Sequence, residues 1–515
     1  RSMLDSLLTL REAVLDDMPP HKHRTRTISW ILKISGETAS LIATDSKAEL
    51  PNPSRTSNIA PGLVSDKAQY VLGVHPSNPD RGAQCHKAYV ELLQAAAEDI
   101  PDLQLLIDAL PNINVPENVE RNDFVVVEID GDPMHSRVDV QDWWVRYTQE
   151  TCDLTGGDGF KHGEIPQKHT GTRRFGNALS SYNDKAYESY GLERSENAWL
   201  TKSTQHALNT TLSYLIDHND HCYRLNETYW IWWSEQPGQF ITLNPIIEGD
   251  SNYATDVIGS VKSGQQTDVK DVWLMGLQEN QGRLIVRHIS KTTTSQLKVQ
   301  IATYLQQANV DGNTPKLYAM LISLVRTSSG SETFSDIHPW MEDAFMQTAL
   351  TGKALSYNVL MTALGRVFAV GEVTPALASV LKLYLLTNNK TMSKTLNKDH
   401  SDPAYHAGRL FSILEKLQED ALGTTNAPIT DKYFRSAANT PKSVFGTLLS
   451  GAQAHLSKLR KKNRGFYINT QKSIQEILSN IQEFPTTLTP EGQANFCLGY
   501  YHQRNDIYTE SDSDE

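Results

Sequence analysis

No run of apolar side chains in the 515 residues approaches the about 18–20 needed to cross a bilayer. No membrane span is therefore expected. Cysteine is scarce: Cys85, Cys152, Cys222 and Cys497 stand far apart, and no Cys-x-x-Cys pair occurs. That spacing offers neither a thiolate zinc site nor a disulfide framework, and it suits a reducing cytoplasm. The Gly-x-x-x-x-Gly-Lys-Ser/Thr spacing of a phosphate-cradling loop is missing, because the one Gly-Lys pair, Gly352-Lys353, continues into Ala354. Missing too are the Gly-x-Ser-x-Gly elbow, His-Glu-x-x-His and the His-Asp dipeptide of metal phosphohydrolases. No catalytic residue, resident metal or cofactor is expected. The opening "RSMLDSLLTLREAV" reads as an amphipathic helix bearing acids, not as a signal peptide.

Positive charge is also in deficit. Forty-eight Lys and Arg against 60 Asp and Glu leave a formal charge of −12, which argues against a general nucleic-acid coat. The deficit is uneven, however. Residues 431–472 hold nine basic side chains and one acid, Asp431. Within them "HLSKLRKKNRGFY" places Lys458, Arg460, Lys461, Lys462 and Arg464 in seven consecutive positions beside Phe466 and Tyr467. Cations at a helix C-terminus suit the macrodipole, which accounts for some of these. Five together, with Lys442, Lys432 and Arg435 upstream, repel one another unless an anion answers them. A phosphate backbone is the simplest such anion.

The pattern of apolar residues changes along the chain. "RTISWILKI" and "TASLIAT" around "SGE" read as a hairpin, followed by a polar loop from Asp45 to Asp66. "AQYVLGV" reads as a strand, "RGAQCHKAYVELLQAAAEDI" as a helix, "DFVVVEIDGDP" as a strand ending in a turn, and "DVQDWWVRYTQE" as a short helix capped by Asp139. "TYWIWW" is apolar on both faces, as a buried strand would be. From about Ser295 the spacing becomes helical. Leu410, Ile413, Leu414 and Leu417 make one stripe, and Phe445, Leu448, Leu449, Ala452, Leu456 and Leu459 a second, introduced by Thr440 and Pro441. Ile474, Ile477, Leu478 and Ile481 make a third, and a fourth helix is expected from about Thr489 to Gln503. The expected fold class is an α+β N-terminal region followed by a C-terminal antiparallel helical bundle. The expected divisions are 3–290 (α+β), 291–391 (helical), 392–509 (the bundle, after the polar linker "KTMSKTLNKDHSDP") and a disordered acidic tail, 510–515.

Asp217, His218, Asp220 and His221 in "DHNDHCY" could hold a divalent ion in a nuclease, or could simply close the preceding helix. "PSRTSNIAPG" is rich in side chains that donate to phosphates or base edges, and is equally an ordinary Pro-bounded loop.

Several stretches occur together and in order: "SRTSNIAPGLVSDKAQYVLGV", "CHKAYVELL", "LTGGDGFKHGEIPQKHTG", "SSYNDKAYESYGLERSENAWLTKSTQHALNTTLSYL", "VWLMGLQENQGRLIVRH" and "GRLFSILEKLQEDALG". From about Met3 to Tyr508 they resemble the large subunit of the type I-C CRISPR surveillance complex, Cascade. The resemblance implies a non-catalytic subunit that inspects duplex DNA for a protospacer-adjacent motif, helps open it and steadies the displaced strand. Its implied partners are the target duplex, the guide RNA with its backbone subunits, small subunits and a helicase–nuclease, with no membrane. Motif reading then falls on Arg55, Thr56, Ser57 and Asn58, with Lys67 standing where relatives often carry an amide. Strand holding falls on Lys442, Lys458, Arg460, Lys461, Lys462 and Arg464. The resemblance also implies that translation can restart inside the gene, here at Met392, to yield residues 392–515 as a small subunit. The competing readings are the metal-dependent nuclease and a pure protein scaffold.

Overall fold

The computed structural model describes residues 3–14, 23–36, 38–53, 58–148, 179, 185–188, 190–192, 197, 200–235, 242–263, 270–280, 283–326, 336–423 and 428–512. An α+β N-terminal region gives way to a helical C-terminal part. Chain contacts define two compact units, one over 14–167 and 184–206, the other over 1–13, 168–183 and 207–515. Neither follows the expected divisions at 290 and 391.

The smaller unit is built on a five-stranded sheet. β1 (His23–Ser35) and β2 (Thr38–Pro51) form a long antiparallel hairpin. β3 (Ser65–Lys67) and β4 (Phe124–Ile129) follow in the order β2-β1-β4-β3, with β1 and β4 parallel, and β5 (Asp132–Pro133) pairs with β4. Two expectations fail here. β2 runs on through "DSKAELP", because Lys47–Pro51 pair with the first residues of β1 and Leu50 is buried. The strand expected at "AQYVLGV" is instead helix α2 (Ala68–Val71). A short apolar run buried on several sides carries no period that separates strand from helix. α3 (Pro79–Ala97), α4 (Leu103–Ala109) and α5 (Val138–Thr148) complete the unit, packing Tyr89, Leu93, Leu103, Leu106 and Trp144 with Leu32 and Val127 of the sheet. Asp139 lies inside the first turn of α5, where its carboxylate pairs with Arg137 and accepts the Val140 N–H at 3.0 Å.

The larger unit contains α1 (Met3–Ala13) and most of α6 (Lys202–Asp217), then a four-stranded antiparallel sheet. Its strands are β6 (Cys222–Leu225), β7 (Thr228–Trp233), β8 (Asp271–Asn280) and β9 (Arg283–Thr293). All six residues of β7 are buried, as its doubly apolar sequence requires. α7 (Asn244–Glu248) and α8 (Ser251–Lys262) lie between β7 and β8. α9 (Thr294–Ala308), α10 (Leu317–Ser323), α11 (Pro339–Thr351), α12 (Tyr357–Val370) and α13 (Pro375–Thr387) follow. The last five helices are α14 (Pro403–Leu422), α15 (Ile429–Asn439), α16 (Pro441–Lys462), α17 (Arg464–Ser479) and α18 (Pro490–Asp512). α18 outruns its expected end, so positions 510–512 of the expected tail continue the helix. One hydrophobic core joins the sheet to helices α7–α18 and includes Met392. Among the described residues no helix is long and apolar enough to cross a membrane.

Candidate nucleic-acid interface

The basic cluster sits on the turn from α16 to α17. The apolar stripe of α16 points inward, with Val444, Phe445, Leu448, Ala452, Leu456 and Leu459 buried. Lys458, Arg460, Lys461 and Lys462 occupy the other faces and are exposed. Asn463 ends α16 with an extended backbone and caps α17, its Oδ1 accepting from the N–H groups of Gly465 (3.0 Å) and Phe466 (3.2 Å). Arg464 is therefore the first residue of α17, not the trailing end of α16.

That placement has an electrostatic consequence. Lys461 and Lys462 are stabilised by the negative end of the α16 dipole. Arg464 lies at the positive end of the α17 dipole, where a cation is disfavoured and an anion welcome. Among the described residues no carboxylate meets Lys458, Arg460, Lys461 or Arg464. The Arg460 guanidinium lies 5.9 Å from the Tyr467 ring centroid, and Lys462 Nζ donates to the Asp420 carbonyl at 3.0 Å. Phe466 is 57% exposed beside them. Lys442 differs, because it pairs with Glu483 at 2.5 Å. The strip is thus four open cations, one anchored lysine and one lysine already neutralised.

The motif-reading residues Arg55, Thr56 and Ser57 lie outside the described residues. Asn58 is exposed. The flanks of that loop are tied to the smaller unit's sheet. On one side Arg26 donates to Asn52 Oδ1 at 3.1 Å, its guanidinium 5.1 Å from the Phe124 ring centroid. On the other, the buried Asp66 carboxylate accepts the Gly62 N–H at 2.6 Å and the Lys67 N–H at 2.7 Å. A Cβ on Gly62 would fall 2.7 Å from the Ser65 carbonyl oxygen, so only glycine fits. Val64 takes φ +52°, a strained value for a β-branched residue. Lys67 Nζ donates to Asn122 Oδ1 at 3.1 Å. Sequence reasoning missed Arg26 and Asp66 as supports, since their partners lie on other segments.

The Asp217/His218/Asp220/His221 cluster closes α6. His218 shares a hydrogen bond of 2.7 Å with the Tyr214 carbonyl and packs on its ring. His221 is buried, its Nδ1 3.2 Å from the Trp232 carbonyl, and burial holds its pKa below the usual value. Among the described residues no three His, Cys, Asp or Glu side chains are grouped to hold a metal ion.

A groove of about 700 Å³ opens beside the basic turn. Glu415, Glu419 and Asp420 of α14, Lys462 and Phe466 of the turn, and Tyr508 of α18 line it. It was invisible in the sequence, because its walls come from four helices, α14, α16, α17 and α18, spread over some ninety residues.

Residues 7–508 match the profile of the family described as CRISPR-associated protein (Cas_Csd1). No curated protein matches the chain.

Proposed function

The chain belongs to the Cas_Csd1 family of CRISPR-associated proteins, and from that premise we propose that it is the non-catalytic large subunit of a type I-C Cascade. In this reading the smaller unit inspects duplex DNA for a protospacer-adjacent motif through Arg55, Thr56, Ser57, Asn58 and Lys67. The α16–α17 turn holds the displaced strand through Lys458, Arg460, Lys461, Lys462 and Arg464. Guide RNA, backbone subunits, small subunits and a helicase–nuclease complete the assembly, and residues from Met392 onward double as a separately translated small subunit. Base pairing then reads the long sequence, while protein reads only the short motif.

The observation that carries the strand-holding role is the open charge of the turn. Four cations without carboxylate partners surround a helix N-terminus and an exposed phenylalanine. An anionic backbone with stackable bases satisfies all three features at once. Lys442, already paired with Glu483, contributes less than the other cations.

The test is a gel-shift titration of single-stranded DNA at two salt concentrations, with the intact protein and with Lys458, Arg460, Lys461 and Arg464 changed to Gln. Each lost phosphate contact should reduce the salt slope by about 0.7. Unchanged affinity and slope would overturn the strand-holding role and favour a scaffold whose basic turn meets an acidic protein.

A further inference from the structure

Resting on that strand-holding reading, we propose that the outward face of α17 extends the strand site beyond the turn, through Arg464, Ile468 and Lys472, and takes an unpaired DNA strand along the helix. The three stand at i, i+4 and i+8, so they lie one above another on one face, with the two cations about 12 Å apart along the axis. All three are exposed, Ile468 at 40%. Phe466, two residues from Ile468, projects from the other side and lines the groove instead. The stripe therefore turns away from the carboxylates of α14.

A merely solvated surface does not account for this helix. α17 buries Ile474 and Ile477, both in its second half, and its first two turns bury no side chain. A helix exposed over so wide an arc is ordinarily laced by acid–base pairs one turn apart. Here no acid occurs from Lys458 to Gln475. Glu476 stands one turn beyond Lys472, but it is held by the buried Arg409 at 3.1 and 2.7 Å. Among the described residues no carboxylate pairs with Arg464 or Lys472. A polyanion with regularly spaced charges answers both cations at once, and the bases of an unpaired strand cover the isoleucine between them. A duplex keeps its base faces stacked inside and offers Ile468 only sugar and phosphate.

The experiment is fluorescence anisotropy of the full chain with labelled dT12 over about 50–200 mM salt. Lys472→Gln removes one contact and should reduce the salt slope by about 0.7, so that affinity falls about two- to threefold less over that range. Ile468→Glu sets an acid one turn from each cation and should reduce the slope by about 1.4. Ile468→Lys should raise it by about 0.7, a gain that misfolding cannot imitate. That gain should exceed the one from Ser450→Lys, at an exposed position of α16 two turns before Lys458; thermal denaturation confirms that each variant is folded. Unchanged slopes for Lys472→Gln and Ile468→Glu, or equal gains from the two added lysines, overturn the stripe. The strand-holding reading then stands or falls separately on the four-cation variant. Shifted slopes here, with Lys458, Arg460 and Lys461 changed together to Gln without effect, would keep the stripe and overturn the role of the turn. Loss of a copurifying protein on Lys472→Gln, with dT12 binding unchanged, also overturns the stripe and makes this face of α17 a protein contact.

Discussion

Glu342 sits at the start of α11 with its side chain out of solvent, and no hydrogen bond of good geometry reaches either oxygen. Burial outweighs the pull of nearby Asn226 and Thr228 and pushes its pKa up to about 7. An acid whose pKa rises on folding binds its proton more tightly in the folded state. Its contribution is fully present below the ordinary value near 4.5 and is lost as pH rises through 7. Glu342→Gln keeps the shape and removes the titration. Between pH 5 and pH 8 the variant should gain about 2 kcal/mol on the intact protein, allowing for screening, in urea unfolding at both pH values. A constant difference would show that the carboxylate is hydrated or paired. His502 has the opposite sign. It is buried on α18 facing Tyr405, Lys382 and His400, its Nδ1 2.9 Å from the Tyr405 hydroxyl, and its Nε2 has no partner. Burial, then Lys382 and His400, lower its pKa to about 4. The unfolded chain takes up this proton first, so the stability is complete above the ordinary value near 6.5 and drains away as pH falls toward 4. His502→Asn should flatten the acid limb of the stability profile by about 3 kcal/mol.

At the scale of elements, the contact between α14 and α18 depends on two glycines. A Cβ on Gly408 would lie 1.9 Å from the Phe496 carbonyl oxygen, and one on Gly499 would lie 2.0 Å from that of Tyr405. Both obstacles are backbone, so neither can swing aside. Next to Gly408, the buried Arg409 ties three helices together, with bidentate bonds to Glu476 of α17 and one to Gln503 of α18. Gly408→Ala should destabilise the protein by about 3 kcal/mol or more, since it forces two helices apart. Gly446→Ala is the control. It lies on an exposed face of α16 with nothing within 4 Å of its Cβ position, and should be neutral or stabilising by up to about 1 kcal/mol. Equal melting temperatures for the two variants would contradict the close crossing. These residues also show how far the sequence could be read. The limits of α16 were legible because apolar spacing, Pro441 and the break at Asn463 are local signals. Thr440 stands at the expected cap position but makes no side-chain cap bond, since its hydroxyl turns back to the Ser436 carbonyl. "GRLF" stood out as a family signature, yet nothing local could tell that its glycine admits one helix and its arginine clamps two others. The neutralisation of Lys442 by Glu483 and the groove beside Phe466 were likewise out of reach, because they join segments tens of residues apart.

At the scale of the molecule, Met392 presents a conflict between packing and the proposed internal start. The segment between α13 and α14 is polar and irregular, as a linker should be, but Met392 itself is buried in the core of the larger unit. The segment is also tied down, with the Asp311 N–H donating to the Lys394 carbonyl at 2.8 Å and the Asn397 N–H to the Tyr405 hydroxyl at 3.2 Å. A 392–515 product would carry α14–α18 without α12 and α13, both of which pack on α18 in the full chain. Its 14 basic and 14 acidic residues cancel, so net charge would do little to keep it dispersed. An apolar face would be left open, and such a product should be held by a partner surface and not persist as a free monomer. Met392→Leu separates start from packing, because leucine nearly preserves core volume, at a cost below about 1.5 kcal/mol. Expressed from its native gene with a C-terminal tag, the protein should give a full-length band and a short one. Met392→Leu should remove only the short band, and size-exclusion chromatography should place that short product in larger assemblies. A single full-length band in both samples would end the internal-start proposal, and a short product eluting as a free monomer would show that α14–α18 need no cover from α12 and α13.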